Sequence, residues 1–269
     1  MKISIITPNY NGVRFLEECL RSVHSQVGPG LEVEHIVIDG GSRDGSLEIL
    51  QRYRAGITHL ISEPDHGAAS AINKGLRLAT GEVMGWLNSD DRYCPDTLVR
   101  VAGLMQAHSG KALCFGHCPI LDEEGAEIRQ SITRFKELFF PFSSRFMIQS
   151  INYISQPAMF FRRSAFEVAG PLCEELRYAW DYEFILRLWK QGGGMHVPGG
   201  PLAAFRWHPG SLSGKGFVPQ FQEELEAALA DAGRYSLQGL LHRTVRWGIV
   251  TIYSRMQKAS GQKPVGSGQ

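Results

Sequence analysis

The segment Gly81-Glu82-Val83-Met84-Gly85-Trp86-Leu87-Asn88-Ser89-Asp90-Asp91 sets the architecture of the chain. A short apolar run from Glu82 to Leu87 stops abruptly on an amide, a hydroxyl and two adjacent carboxylates. A run of that length between helix-period segments reads as a strand buried on both faces of a parallel sheet. The flanks agree. Ala68 to Ala79 has helical spacing before it, and after it Pro95 opens a helix through about Ala107, a position that suits proline.

Working outward from there, the same alternation runs back to the start of the chain. Lys2 to Thr7 is a buried strand, and a helix over about 13–27 carries Val13, Leu16, Leu20 and Val23 on one face. Val33 to Ile38 is a second strand, about 45–54 a short helix, and His59 to Ser62 a third strand. Strands alternating with helices predict an α/β fold, a mostly parallel central sheet flanked by helices. The later chain is less regular. Residues 111–132 read as strands around a turn at Asp122-Glu123-Glu124-Gly125, and Pro157 to Phe161 as another strand. Asp181 to Lys190 reads as a helix with Phe184, Ile185, Leu188 and Trp189 inward, followed by a strand through Phe205-Arg206-Trp207-His208. The aromatic segment Phe135 to Ile151 is a mobile acceptor-facing loop or core, and core is favoured.

In parallel sheets ligands gather beyond the carboxyl ends of the strands. Those ends are polar here: Thr7-Pro8-Asn9-Tyr10, Asp39, Glu63-Pro64-Asp65 and Ser89-Asp90-Asp91. Asp90 and Asp91 would repel each other unless a positive charge sat beside them, and a hard divalent cation supplies one. Mg²⁺ favours one or two carboxylates together with phosphate oxygens, so the implied ligand is a diphosphate. The alternative is a solvated turn, and each single Asp or Asn is equally suited to cap the helix that follows it. G-x-G-x-x-G, a P-loop, H-E-x-x-H and G-x-S-x-G are all missing from the sequence, which removes the usual signatures of hydride transfer, P-loop phosphoryl transfer and serine hydrolysis.

The 28 basic and 27 acidic residues nearly cancel, which excludes a uniformly basic nucleic-acid binder. Five scattered cysteines point to a reduced, cytoplasmic chain. Cys114, His117 and Cys118 cluster without a second ligand pair, so strand packing is preferred to a zinc site. Met1 to Ile6 is too short for a signal peptide and no run approaches the roughly 20 apolar residues of a membrane span.

The ordered set of motifs resembles a family 2 glycosyltransferase of the GT-A (Rossmann-like) fold, of the bacterial cell-surface polysaccharide type. It is carried by Ser4-Ile5-Ile6-Thr7-Pro8-Asn9-Tyr10-Asn11, Ile38-Asp39-Gly40-Gly41-Ser42-Arg43-Asp44-Gly45-Ser46 and Glu63-Pro64-Asp65-His66-Gly67. Ala71-Ile72-Asn73-Lys74-Gly75, Trp86 to Asp91, Pro157 to Arg163, Trp180-Asp181-Tyr182-Glu183 and His208-Pro209-Gly210-Ser211 follow in order. The resemblance implies a glycosyltransferase domain over 1–225, with a nucleotide-binding half at 1–110 and an acceptor-binding half at 111–225. Residues 226–269 are left as a C-terminal helical extension and flexible tail.

Carried over, the resemblance implies that Thr7, Pro8 and Tyr10 hold the base of a nucleotide-sugar donor, a UDP-sugar, with Asp39 bonding it. Asp65 contacts the nucleotide, Asn73 and Lys74 lie near the same edge, and Asp90 takes the sugar or ribose. Asp91 and His208 are the metal positions, for Mn²⁺ or Mg²⁺, and Asp181 is the general base of an inverting transfer. The base of such a transfer has to be a positioned proton acceptor, which a carboxylate supplies. Asp181 also opens a helix and can be an N-cap, with Glu183 in reserve. Ile72 stands where many members carry Arg, and Arg206-Trp207 matches the end of the processive synthases' motif while Ala203 breaks it. A non-processive enzyme adding one hexose or N-acetylhexosamine to a glycan or lipid-linked acceptor is therefore expected. Two rivals are a nucleotide-sugar-binding scaffold without transfer, and a sugar nucleotidyltransferase, which would want a Gly-rich basic loop in place of Pro8-Asn9-Tyr10-Asn11.

From Arg234 onward there are six basic residues and no acidic one, so residues 1–233 hold 22 basic against 27 acidic. Leu237, Leu240, Leu241, Val245, Ile249, Ile252 and Met256 recur at helical spacing beside Trp247 and Tyr253. Such a helix either lies on an anionic bilayer, making the protein peripheral at the inner face of the plasma membrane, or packs on the domain. Lys258 onward reads as a flexible end.

Overall fold

The computed structural model describes residues 1–211 and 217–259. Strand β1 (Lys2–Asn9), helix α1 (Val13–His24), β2 (Glu32–Asp39), α2 (Ser46–Arg52), β3 (His59–Ser62), α3 (Ala68–Leu78) and β4 (Val83–Trp86) follow one another in the alternation expected. Next come β5 (Arg92–Tyr93), α4 (Thr97–Ala107), β6 (Leu113–Phe115), β7 (Ile120–Leu121), β8 (Glu127–Ile128), α5 (Gln130–Glu137) and α6 (Arg145–Ser150). The chain continues through β9 (Met159–Arg162), α7 (Arg163–Ala169), α8 (Trp180–Trp189), β10 (Gly194–His196) and β11 (Ala203–Arg206). Two helices follow, α9 (Phe217–Ala232) and α10 (Leu237–Ala259).

Seven strands form the main sheet in the order β10-β6-β9-β4-β1-β2-β3. All neighbours are parallel except β9, which runs antiparallel to both β4 and β6. The sheet is thus mostly parallel and flanked by helices, as the alternation predicts. Ile3, Ile5 and Ile6 of β1 are fully buried, because α1 and α3 lie against a strand with no free face. Close packing is enforced at Gly75 of α3, where a Cβ would sit 2.5 Å from the Ile6 side chain. A four-stranded sheet, β5-β11-β7-β8, stands beside the carboxyl end of β4 and carries Arg206 to the acidic loop.

Several sequence readings change. The 111–132 stretch holds three short strands, but Gln130 already begins α5. The aromatic segment after it is not simply core. Phe140 is buried, whereas Phe135, Phe142 and Phe146 are exposed, because the stretch is built of short helices that each turn one face outward. Cys114 and Cys118 are buried in strand packing, and His117 Nδ1 lies 2.6 Å from Glu137. Helix α9 runs unbroken through residue 225, where the boundary of the extension was drawn. Helix α10 packs on the domain. His242 is buried with Nδ1 3.1 Å from the Gln149 carbonyl, and Arg246 Nε donates to the Phe221 carbonyl at 3.1 Å. No described helix is long and apolar enough to cross a membrane. The flexible end expected from Lys258 lies, beyond Ala259, outside the described residues.

Candidate active site

The loops leaving β1 and β2 are stitched together by short polar side chains. Asn9 Nδ2 donates to Asp39 Oδ1 at 2.8 Å, and the Asn11 amide donates to Ser42 Oγ at 2.8 Å. Asn11 Oδ1 in turn accepts from the Arg43 amide at 2.9 Å, and Asp44 Oδ2 from the Val13 amide at 2.9 Å. These bonds satisfy backbone groups at two helix starts and hold the strand ends side by side. Asn9, Asn11, Ser42 and Asp44 were not among the expected site residues; the repeated Asn, Ser and Asp at the strand ends are the signal that points to them.

Asp39 is the hub of this network and is fully buried. Its carboxylate also accepts from the Gly41 and Ser42 amides and from the Ser42 and Ser62 hydroxyls. Burial alone would raise its pKa, but the bonds from Ser42, Ser62 and Asn9 outweigh it and hold the group below its ordinary value. Thr7 is likewise turned inward, with Oγ1 2.9 Å from His35 Nε2, and Pro8 is buried. Neither side chain is open to a ligand, contrary to the contact expected of them. Tyr10 is the open group, 68% exposed at the edge. A Cβ on Gly40 would meet Asp65 Oδ2 at 2.8 Å and the Tyr10 ring at 3.2 Å, so Tyr10, Gly40 and Asp65 converge on one spot.

Asn73 corrects the sequence expectation of a donor-edge residue. It is buried, its Nδ2 donates to the Leu172 carbonyl at 2.9 Å and to Glu174 Oε1 at 2.8 Å, and its Oδ1 accepts from the Leu172 amide at 2.8 Å. With every polar atom engaged, it pins α3 to the loop before α8. Lys74 is paired with Glu63 beside it.

At the end of β4 the two adjacent carboxylates part company. Asp90 Oδ2 lies 3.1 Å from His208 Nε2, and both side chains are partly open to solvent. Asp91 is 2% exposed and accepts from the Arg206 amide at 2.9 Å and from Asn88 Nδ2 at 3.3 Å. Burial, and after it the charge of Asp90, pushes the Asp91 pKa well above its ordinary value. His208 is thus the neighbour of Asp90, whereas Asp91, expected with His208 at the metal position, is drawn inward to the Arg206 amide across the turn at Ser89–Asp90. Arg206, read from sequence only as part of a synthase-like motif, is the clamp of this corner. It is buried, donates through Nε to the Asp90 carbonyl at 3.1 Å, and pairs through Nη2 with Glu18 at 2.5 Å.

Among the described residues no group of three or more His, Cys, Asp or Glu side chains could hold a metal. A carboxylate and an imidazole at one open corner nevertheless fit a hard divalent ion whose remaining ligands are water and phosphate oxygens. Asp90 and His208 are that pair.

Asp181 stands in the first turn of α8 on the wall of a cavity of about 680 Å³, whose lining also includes Asn88, Lys136, Gln156, Trp180 and Glu224. Its Oδ1 accepts from the Tyr182 amide at 2.7 Å rather than from the amides two or three residues on, so it is not an N-cap. Burial raises its pKa to about 6, against the opposing bond from Tyr182. Glu224 of α9, which lies outside every motif, is buried in the same lining. Burial and then the charge of Asp181 push it up to about 7. Carboxylates with raised pKa values in a cavity are suited to accept a proton near neutrality.

Residues 4–170 match the family described as Glycosyl transferase family 2. An uncharacterized glycosyltransferase of Mycobacterium tuberculosis is 34% identical over 186 residues, 69% of this chain and 68% of the relative. A PGL/p-HBAD biosynthesis glycosyltransferase of Mycobacterium bovis is 29% identical over 191 residues, 68% of each chain. Among solved structures, S. aureus TarS 1-349 in complex with UDP-GlcNAc superposes with a TM-score of 0.68 at 20% identity, covering 90% of this chain and 69% of that one. Against a longer TarS chain the coverage is 41% of that chain, with a TM-score of 0.66 and 21% identity. The mannosyltransferase PcManGT from Pyrobaculum calidifontis, in complex with GDP-Man and Mn2+, gives a TM-score of 0.70 at 19% identity over 98% of this chain and 76% of that one. At these identities the structural likeness concerns the fold, which is the GT-A arrangement expected.

Proposed function

The chain belongs to glycosyl transferase family 2, and from that premise we propose that it is an inverting, metal-dependent, non-processive enzyme. It moves one hexose or N-acetylhexosamine from a UDP-sugar to a hydroxyl of a glycan or lipid-linked acceptor. The observation that carries the reading is a cavity lined by Asp181 together with Asn88, two residues before Asp90, and Trp207, which precedes His208. The lining thereby runs from the proton acceptor to the sequence neighbours of the metal-facing corner. The relatives named for UDP-GlcNAc and for GDP-Man with Mn2+ support a nucleotide-sugar donor and a divalent ion.

In this reading Tyr10 and Asp65 bind the base edge, and Asp39 keeps their loop in place. Asp90 and His208 hold Mn²⁺ or Mg²⁺, with Asp91 fixing the corner through the Arg206 amide. The ion, when bound, neutralises charge on the departing diphosphate. Asp181 takes the proton of the acceptor hydroxyl as its oxygen attacks the anomeric carbon from the face opposite the diphosphate. The carbon–oxygen bond to the diphosphate breaks and the nucleoside diphosphate leaves with the electron pair. One displacement inverts the anomeric centre.

The exposed Leu237, Leu240 and Trp247 of α10, on a helix that also carries Arg243, support peripheral contact with an anionic membrane from the cytoplasmic side. The opposite face of that helix is the packed one. The whole reading is tested by UDP release from UDP-glucose and UDP-N-acetylglucosamine with Mn²⁺ or with chelator. Metal-dependent release that grows with added acceptor supports it. Absence of both release and UDP binding overturns it.

A further inference from the structure

We infer that the Asp181 cavity takes an acceptor whose hydroxyl is carried on an apolar body, an aryl or long alkyl aglycone, rather than a free oligosaccharide. The inference rests on the glycosyl-transfer reading of the same site and names its acceptor class.

Beside the acidic pair, the walls include Ile132 and Phe135 of α5, Trp207 after β11, Phe221 of α9, and Val245 and Ile249 of α10. Arg129 lies over the Trp207 ring, 4.2 Å from its centroid, which keeps that aromatic surface in place. A free oligosaccharide brings a hydroxyl on nearly every carbon, and each one desolvated without a partner is costly. The exposed surface of this lining is mostly apolar, so most of them would find no partner on it. Ser131, Lys136, Gln156 and Gln220 supply polar groups for a few.

The source of the walls matters as well. The family match ends at residue 170, whereas Phe221, Val245 and Ile249 come from the two helices after residue 216. These helices bring apolar groups to the cavity beside Asp181. Surface groups continue the apolar character: Leu138 and Phe142 after α5, Phe146 of α6, and Leu240 and Leu241 of α10 are all exposed. An apolar aglycone longer than the cavity would find more apolar surface on these neighbouring elements.

The test is calorimetric titration of the full chain, with UDP and Mn²⁺ present, by methyl, phenyl and octyl β-D-glucoside below micelle formation. Phenyl and octyl glucosides are expected to bind at least about tenfold more tightly than the methyl glucoside. Phe135→Ser, at an already exposed position, and Ile249→Asp should each shrink that preference severalfold. Equal affinity across the three glucosides overturns the inference, as does a preference unchanged in both variants. A separate UDP titration keeps the two claims apart. Loss of UDP binding removes the nucleotide-sugar reading, whereas the ranking of the glucosides decides the acceptor class alone.

Discussion

Asp90 and His208, 118 positions apart in the chain, meet with Oδ2 and Nε2 3.1 Å apart, while the neighbouring Asp91 turns inward to the Arg206 amide. In the proposed reading that divergence separates a metal-facing carboxylate from a structural one. Asp90→Ala and His208→Ala should fold normally and lose most of the Mn²⁺-dependent gain in UDP affinity. Asp91→Ala leaves the buried Arg206 amide without its acceptor and should lower stability by about 1–3 kcal/mol. Thermal melting beside UDP titration distinguishes them. Wild-type melting for Asp91→Ala together with lost metal dependence would exchange the two roles.

Asp181 has a pKa raised to about 6 by burial, and a base works only when ionised. Turnover should therefore climb with pH through about 6 and level off above it. Asp181→Asn should keep UDP affinity and reduce kcat by roughly 10²–10⁴-fold. A pH–rate profile with the acid limb unchanged in Asp181→Asn would remove the residue from the proton transfer.

Glu224 is held protonated to about 7, well above the 4.5 ordinary for a glutamate. Its folded pKa exceeds the unfolded one, so the folded chain binds the extra proton between those values. Its contribution to stability is highest at low pH and falls as pH rises from about 4.5 through about 7. The loss is on the order of 3 kcal/mol. Glu224→Gln should abolish that part of the decline, so its melting temperature exceeds the wild type's above pH 7 and converges with it in acid. Parallel melting curves across the range would mean the carboxyl is solvated.

Asn73 joins α3 to the Leu172 backbone through both its amide and its carbonyl. Asn73→Ala should cost roughly 2–3 kcal/mol and leave UDP affinity unchanged. Chemical denaturation and UDP titration of the one variant check both halves. A native midpoint with weakened UDP binding would restore Asn73 to the donor edge.

How much of this was legible in the sequence depends on the range of the interaction. The β1-to-β4 order and α4 followed from local apolar runs and turn residues, because parallel strands and amphipathic helices carry their own periodicity, whereas the two-residue β5 was too short to leave a pattern. Asp181 and the acidic loop were legible as positions. The split between Asp90 and Asp91 was not, because it is made by Arg206 and His208, more than a hundred residues on. Asn73 was set at the donor edge by the resemblance alone, and its partners at 172 and 174, in a loop without periodicity, gave no sign of its bonds. Glu224 gave no local sign at all. It sits in an ordinary helix, and only the packing of α9 against α8 brings it to Asp181. Helix α7 was missed because its seven residues, Arg163–Ala169, follow β9 without a break.

The central claim, a single displacement by a hydroxyl activated by Asp181, is tested most directly by the configuration of the product. Proton NMR during turnover of an α-linked UDP-sugar with Mn²⁺ resolves the first anomer formed, whether on an added acceptor or on water. The account predicts the β-anomer first, with its signal suppressed in Asp181→Asn. An α-anomer appearing first, or β-anomer formation undiminished in Asp181→Asn, would contradict it.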